Sequence, residues 1–168
     1  MSATVRIELI DKDGTLLEVR QAHNAVMRSG AQLIANLFSG KGKGITHMGV
    51  GTSDAIESEA YDTVKLSNLA VGDLAPLAGD IEAPIPPDSF SAPVIDDTKR
   101  VVRVKLRGTL PAPAAVGTIR EAGLISKDDA GEVLYNRVTF APITKGNDHE
   151  LTMFWEVSFP YGDLQWLL

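Results

Sequence analysis

A strict alternation of apolar and other residues over 151–159 constrains the fold of this 168-residue chain more than any other feature. A period of two is typical of a β-strand that buries one face. Shorter runs of the same kind occupy 4–10 and 102–107. The large apolar side chains of the longest run share one predicted face: Leu151, Met153, Trp155, Val157 and Phe159.

Polar turn residues separate the predicted strands. Asp13-Gly14 predicts a hairpin between 4–10 and 16–19, because this pair suits a tight turn. Further on, the predicted strands Thr118–Ile125, Val133–Phe140 and Leu151–Phe159 are divided by two more turns, at Asp128–Gly131 and at Lys145–Asp148.

One segment has a helical period. It follows Asn24, a good N-cap residue, and ends at Ser39-Gly40, where a helix terminus is expected. This predicts an amphipathic helix over about residues 25–38. Its apolar stripe contains Val26, Gly30, Leu33, Ile34, Leu37 and Phe38. The predicted fold is therefore mainly β, an antiparallel β-sandwich with this one helix packed on it, in a single domain spanning 1–168.

The negative charge of the chain is concentrated in one region. The net charge is −6, and residues 54–82 hold seven acids and one base, which accounts for all of it. Five of the nine prolines lie in 53–98. We expect this stretch to be a Pro-rich acidic excursion, an interaction arm ordered by partners. An acidic chain without a basic face is a poor candidate for nucleic acid or a membrane surface, so neither is an expected partner.

The residues offer little for catalysis or for a metal. There is no cysteine, and His23, His47 and His149 lack the spacing of a local zinc site. Asp11–Gly14 loosely resembles a calcium loop, although a hairpin turn explains it better. Arg120-Glu121 could hold a catalytic acid, but a buried structural ion pair is the preferred interpretation. We expect no enzymatic activity, no cofactor and no metal.

Two groups of residues are candidate contacts with partners. The tail 161–168 ends in three apolar side chains that either fold back on their own domain or dock on a neighbour. The other group lies in the Pro-rich excursion. The candidate interface residues are Ile85, Pro86, Pro87, Phe90, Trp166, Leu167 and Leu168.

The order of motifs over 24–52 and 116–159 resembles the N-terminal domain of tail-fibre and tail-collar-fibre proteins of tailed phages. The segments Ile119–Leu124 and Phe140–Lys145 carry most of this resemblance. Other matching positions are Gly30, Ile34, Leu37, Gly40, Ile45, Met48, Val50, Gly51, Thr118, Gly131, Leu151 and Trp155. The family continues into a long shaft, whereas this sequence ends at Leu168.

The resemblance implies a structural protein of the virion, assembled in the host cytoplasm and placed in the tail, baseplate or fibre-attachment region. Its implied partners are copies of itself, as a trimer, and other virion proteins. Two alternatives stay open: a capsid or neck decoration protein with the same fold, and a carbohydrate-binding module at a host-facing tip.

Overall fold

The computed structural model describes residues 2–56 and 60–163. Within them, eleven strands form two antiparallel sheets, and one α-helix accompanies them. This confirms the predicted β-sandwich with a helix. The strands are β1 Ser2–Ile10, β2 Leu16–His23, β3 Ala25–Val26, β4 His47–Gly51, β5 Glu82–Pro84, β6 Val94–Asp96, β7 Val101–Leu110, β8 Gly117–Asp128, β9 Gly131–Leu134, β10 Asn136–Lys145 and β11 Glu150–Pro160. The helix α1 is Arg28–Phe38, and Pro87–Ser89 forms one turn of 3-10 helix.

The first sheet has the strand order β2-β1-β11-β7-β6, and the second has the order β3-β10-β8-β4-β5, with β9 also paired to β8. The alternating face of β11 is buried, as the sequence predicts. In register, Trp155 lies between Val5 of β1 and Leu106 of β7, and all three side chains enter the core between the sheets. The predicted hairpin at Asp13-Gly14 is confirmed by the pairing of β1 with β2.

The two sheets are joined along one side by a bulge in β10. The register with β8 shifts between Thr139 and Ile143, which leaves backbone carbonyls there without a ladder partner. Arg20 of β2 donates from Nε to the carbonyl of Ala141 at 3.1 Å and from Nη2 to that of Pro142 at 3.0 Å. The sequence prediction ended this strand at Phe140, because the bulge interrupts its alternation.

The helix departs from its predicted start and from its predicted buried face. Asn24 is not an N-cap: its Oδ1 accepts the backbone N–H of Ala3 at 2.7 Å, so it ends the pairing of β2 with β1. Residues 25–26 form β3 instead, and α1 begins at Arg28. Leu33 is buried, but Leu37 and Phe38 are exposed, so the last turn of α1 does not bury its apolar stripe.

The Pro-rich stretch 53–98 belongs to the body of the domain, which corrects its interpretation as an arm. Its strand β5 pairs with β4 in the second sheet, and its strand β6 pairs with β7 in the first. The chain between them therefore crosses the side of the sandwich opposite the bulge. Leu77, Ala83 and Ile85 from this stretch are part of the main core. Among the described residues, no helix has the length and apolarity needed to cross a membrane.

Candidate interaction surface

The predicted interface residues of the excursion fall in different environments. Ile85 is buried in the core, so in this conformation it is not available to a partner. That part of the prediction is wrong, because Ile85 directly follows β5 and packs between the sheets. Pro86 and Pro87 are exposed, and Phe90 is half-buried against the core. Trp166, Leu167 and Leu168 lie outside the described residues, so their docking stays a prediction.

A buried ion pair connects the excursion to the second sheet. Arg137 donates from Nε to Glu121 Oε2 at 2.5 Å, and both side chains are 1% exposed. Glu121 Oε1 also accepts the backbone N–H of Ser67 at 2.7 Å, while Arg137 Nη1 donates to the carbonyl of Ala55 at 2.7 Å. The pair therefore holds both Ala55 and Ser67 against the second sheet, and a substrate has no access to the carboxylate.

The expected pairing of Arg120 with Glu121 is wrong. Adjacent residues of a strand point to opposite faces, so the two side chains cannot meet within β8. Arg120 instead contacts Asp54 at 3.3 Å, on the surface. The true partner, Arg137, comes from β10, which is paired with β8.

A second buried charge, Lys145, holds the loop before β8. Its Nζ donates to the carbonyls of Pro111, Ala112 and Ala114 at 3.0, 2.8 and 2.7 Å. Burial lowers the pKa of Lys145, although Glu150 and Asp148 act in the opposite direction. Three carbonyls satisfy the ammonium group in place of a carboxylate, so this lysine has a structural role.

His149 lies near Asp11 and Asp148, with the potential ligand atoms of the three within 4.8 Å of one another. Its Nδ1 accepts the backbone N–H of Gly146 at 2.9 Å, which places the proton of the neutral ring on Nε2. That Nε2 lies 3.5 Å from Asp148 Oδ1. The lone pair of Nδ1 is therefore used within the turn between β10 and β11, which His149 stabilises.

The outer face of the first sheet carries an open groove of about 790 Å³. In its centre Phe154 of β11 is 38% exposed and lies in register between Arg6 of β1 and Arg107 of β7. Lys105 and Glu156 lie one row further along the same face. The groove thus combines an exposed aromatic ring with three cations and one carboxylate, in a chain of net charge −6.

Comparison with protein-family models, with curated proteins and with solved structures finds no match to this chain. The resemblance to phage fibre proteins therefore stays a prediction. Function has to be inferred from the surface of the molecule.

Large apolar side chains are exposed at several places on that surface. Val94 and Ile95 of the edge strand β6 are 59% and 66% exposed, and Phe38 at the end of α1 is 94% exposed. Single exposed apolar residues are ordinary, but groups of them are typical of contact sites. The remaining large apolar residues that are exposed among those described are Leu16, Leu17, Leu37, Ile56, Tyr61, Val64 and Leu69.

Proposed function

We propose that this protein is a non-enzymatic structural component of a tailed-phage particle, in its tail, baseplate or fibre-attachment region. It works through contacts with copies of itself and with other virion proteins. The observation that carries the proposal is the edge strand β6, whose Val94 and Ile95 face solvent on a strand paired only with β7 among the described residues.

An edge strand with apolar side chains is a site for strand addition. Its free N–H and C=O groups can pair with another chain, and monomeric proteins usually protect such an edge with charge, proline or a covering loop. The one charged residue within β6, Asp96, is already paired, since it bonds to Arg103 of β7. A partner strand would meet apolar side chains and unpaired backbone groups at the same place.

The resemblance to fibre-attachment domains supports the virion assignment and a trimer. The proposal also assigns a position on the particle, and a capsid or neck decoration protein is the alternative to that position. Particles purified by density gradient would contain the protein at a fixed ratio to the tail proteins. Cryo-electron microscopy would then locate the sandwich on the particle. Failure to recover the protein from intact, washed particles would contradict the proposal.

The groove around Phe154 favours a second candidate function, a carbohydrate-binding module. An aromatic ring beside guanidinium groups suits a glycan that carries carboxylates, because arginine binds carboxylates with two hydrogen bonds. Binding on a glycan array that is lost in Phe154→Ala and kept in Phe38→Ser would support this function. No binding by the intact protein to any acidic glycan would exclude it.

A further inference from the structure

Among the large apolar side chains that the structure describes, Phe38 at the end of α1 is the most exposed, at 94%. All residues from 35 to 44, here called the tip, are exposed. The tip includes Leu37 and Phe38 and continues into a glycine loop that carries Lys41 and Lys43. Neither lysine has an acidic partner among the described residues. The tip is thus apolar and positively charged, and no acidic residue occurs anywhere in 19–53.

A second surface on the same chain is also apolar but carries the opposite charge. Residues 54–56 and 60–73, here called the acidic segment, expose Asp54, Asp62 and Asp73. Their one base, Lys65, is 3.2 Å from Glu132 and so is already paired. The acidic segment also exposes four large apolar side chains: Ile56, Tyr61, Val64 and Leu69. It is thus apolar and negatively charged, the complement of the tip.

The tip cannot reach the centre of the acidic segment of its own chain. The backbone N–H of Arg28 donates to the carbonyl of Tyr61 at 2.9 Å, which fixes that part of the acidic segment at the start of α1. The tip lies at the other end of the helix, and eleven residues span about 16 Å. Contact within one chain around Tyr61 and Asp62 would require the helix to unfold.

We infer that the tip of one copy docks on the acidic segment of a second copy. Phe38 enters the apolar part of the acidic segment, and Lys41 and Lys43 face Asp62 and Asp73. Since the two surfaces differ, the contact is head-to-tail, and its repetition builds a ring if the rotation between copies closes and a filament if it does not. This inference deepens the proposed function, on which it rests, by naming the surfaces through which copies associate.

The test exchanges charges across the contact. Lys41→Glu with Lys43→Glu reverses the tip, and Asp62→Lys with Asp73→Lys reverses the acidic segment. Each pair replaces attraction by repulsion and should weaken self-association about tenfold to a hundredfold in sedimentation velocity. Combining all four substitutions restores the net charge of the wild type and the complementary contact, and should recover the association.

Several controls separate docking from other effects. Lys12→Glu with Lys99→Glu makes the same charge change at exposed sites outside the contact and should leave association unchanged. Phe38→Ser should weaken association about tenfold or more, because a buried aromatic ring is lost from the interface. Thermal melts should be unchanged in every variant, since none of these side chains lies in the core.

A wild-type protein that stays monomeric across a concentration series would overturn the inference, as would a fourfold variant that fails to re-associate. Binding of the tip to vesicles of phosphatidylserine and phosphatidylcholine, without self-association, would assign it to lipid instead. These measurements use purified protein, whereas the proposed function is tested on particles. Failure of the tip contact therefore leaves the recovery of the protein from virions as a separate result.

Discussion

Replacing Arg137 by methionine tests whether the buried ion pair holds the excursion on the sandwich. The substitution leaves the carboxylate of Glu121 in a site where both side chains were 1% exposed. It also removes the donor that satisfies the carbonyl of Ala55. Removing one partner of a buried pair costs about 3–5 kcal/mol, a large share of the roughly 5–15 kcal/mol that stabilises a domain.

Urea unfolding followed by circular dichroism measures this loss. With a slope of about 1–3 kcal/mol per molar urea, the midpoint for Arg137→Met should fall by about 2 M. The matched control is Arg120→Met, which removes the neighbouring surface pair with Asp54 and should cost less than about 1 kcal/mol. Limited proteolysis of Arg137→Met should cut next to Ala55, because its carbonyl has lost the donor that held it.

The double variant Glu121→Gln with Arg137→Met separates a buried charge from lost packing. Glutamine keeps an oxygen for the backbone N–H of Ser67, and no charge remains in the site. The double variant should therefore be more stable than Arg137→Met alone. A loss below about 1 kcal/mol in Arg137→Met, or a double variant less stable than the single one, would refute this reasoning.

Three further predictions concern the core, the helix and the buried lysine. Deletion of residues 72–93 should abolish cooperative thermal unfolding, because it removes β5, Leu77 and Ile85 from the core; a cooperative melt would show that the stretch is dispensable. Gly30→Ala should cost about 2 kcal/mol or more in urea unfolding, because a Cβ there would lie 1.9 Å from the carbonyl oxygen of Tyr135, whereas Gly44→Ala, with open space around it, should change stability by less than about 0.5 kcal/mol. Since burial lowers the pKa of Lys145, this residue binds more protons in the unfolded than in the folded state between that pKa and about 10.4, so the free energy of unfolding of the wild type relative to that of Lys145→Met should rise with pH over this interval; a difference that does not change with pH would contradict this.

The sequence predicted those parts of the fold whose periodicity is local. The strand 151–159 alternates because one face is buried along its whole length, so its pattern could be read without knowing its neighbours. The helix start was misplaced because Ala25 and Val26 pair with β10, a contact that only the folded chain supplies. Leu37 and Phe38 fit the helical stripe equally well, yet both are exposed in the folded chain, which the spacing alone does not reveal.

The excursion and the ion pair were misjudged for a related reason. The buried residues of the excursion, such as Leu66, Leu77 and Ile85, have no regular spacing, so its polar composition dominated the interpretation. Arg137 lies 16 positions from Glu121 in the sequence, and only the pairing of β8 with β10 identifies Arg137 as its partner. The tip became visible only when exposure was known, because sequence spacing places Leu37 and Phe38 in a core.

The pairing of β1 with β11 has a consequence for how the chain acquires its structure during synthesis. The register joins Ser2 to Ser158, so β1 has to wait for the synthesis of β11, far along the chain, before the centre of the first sheet can form. Contacts between residues so distant in sequence make folding slow. Until β11 pairs with it, β1 has one unpaired edge and an exposed apolar face. Binding of a chaperone or of an already folded copy would cover that edge and prevent aggregation.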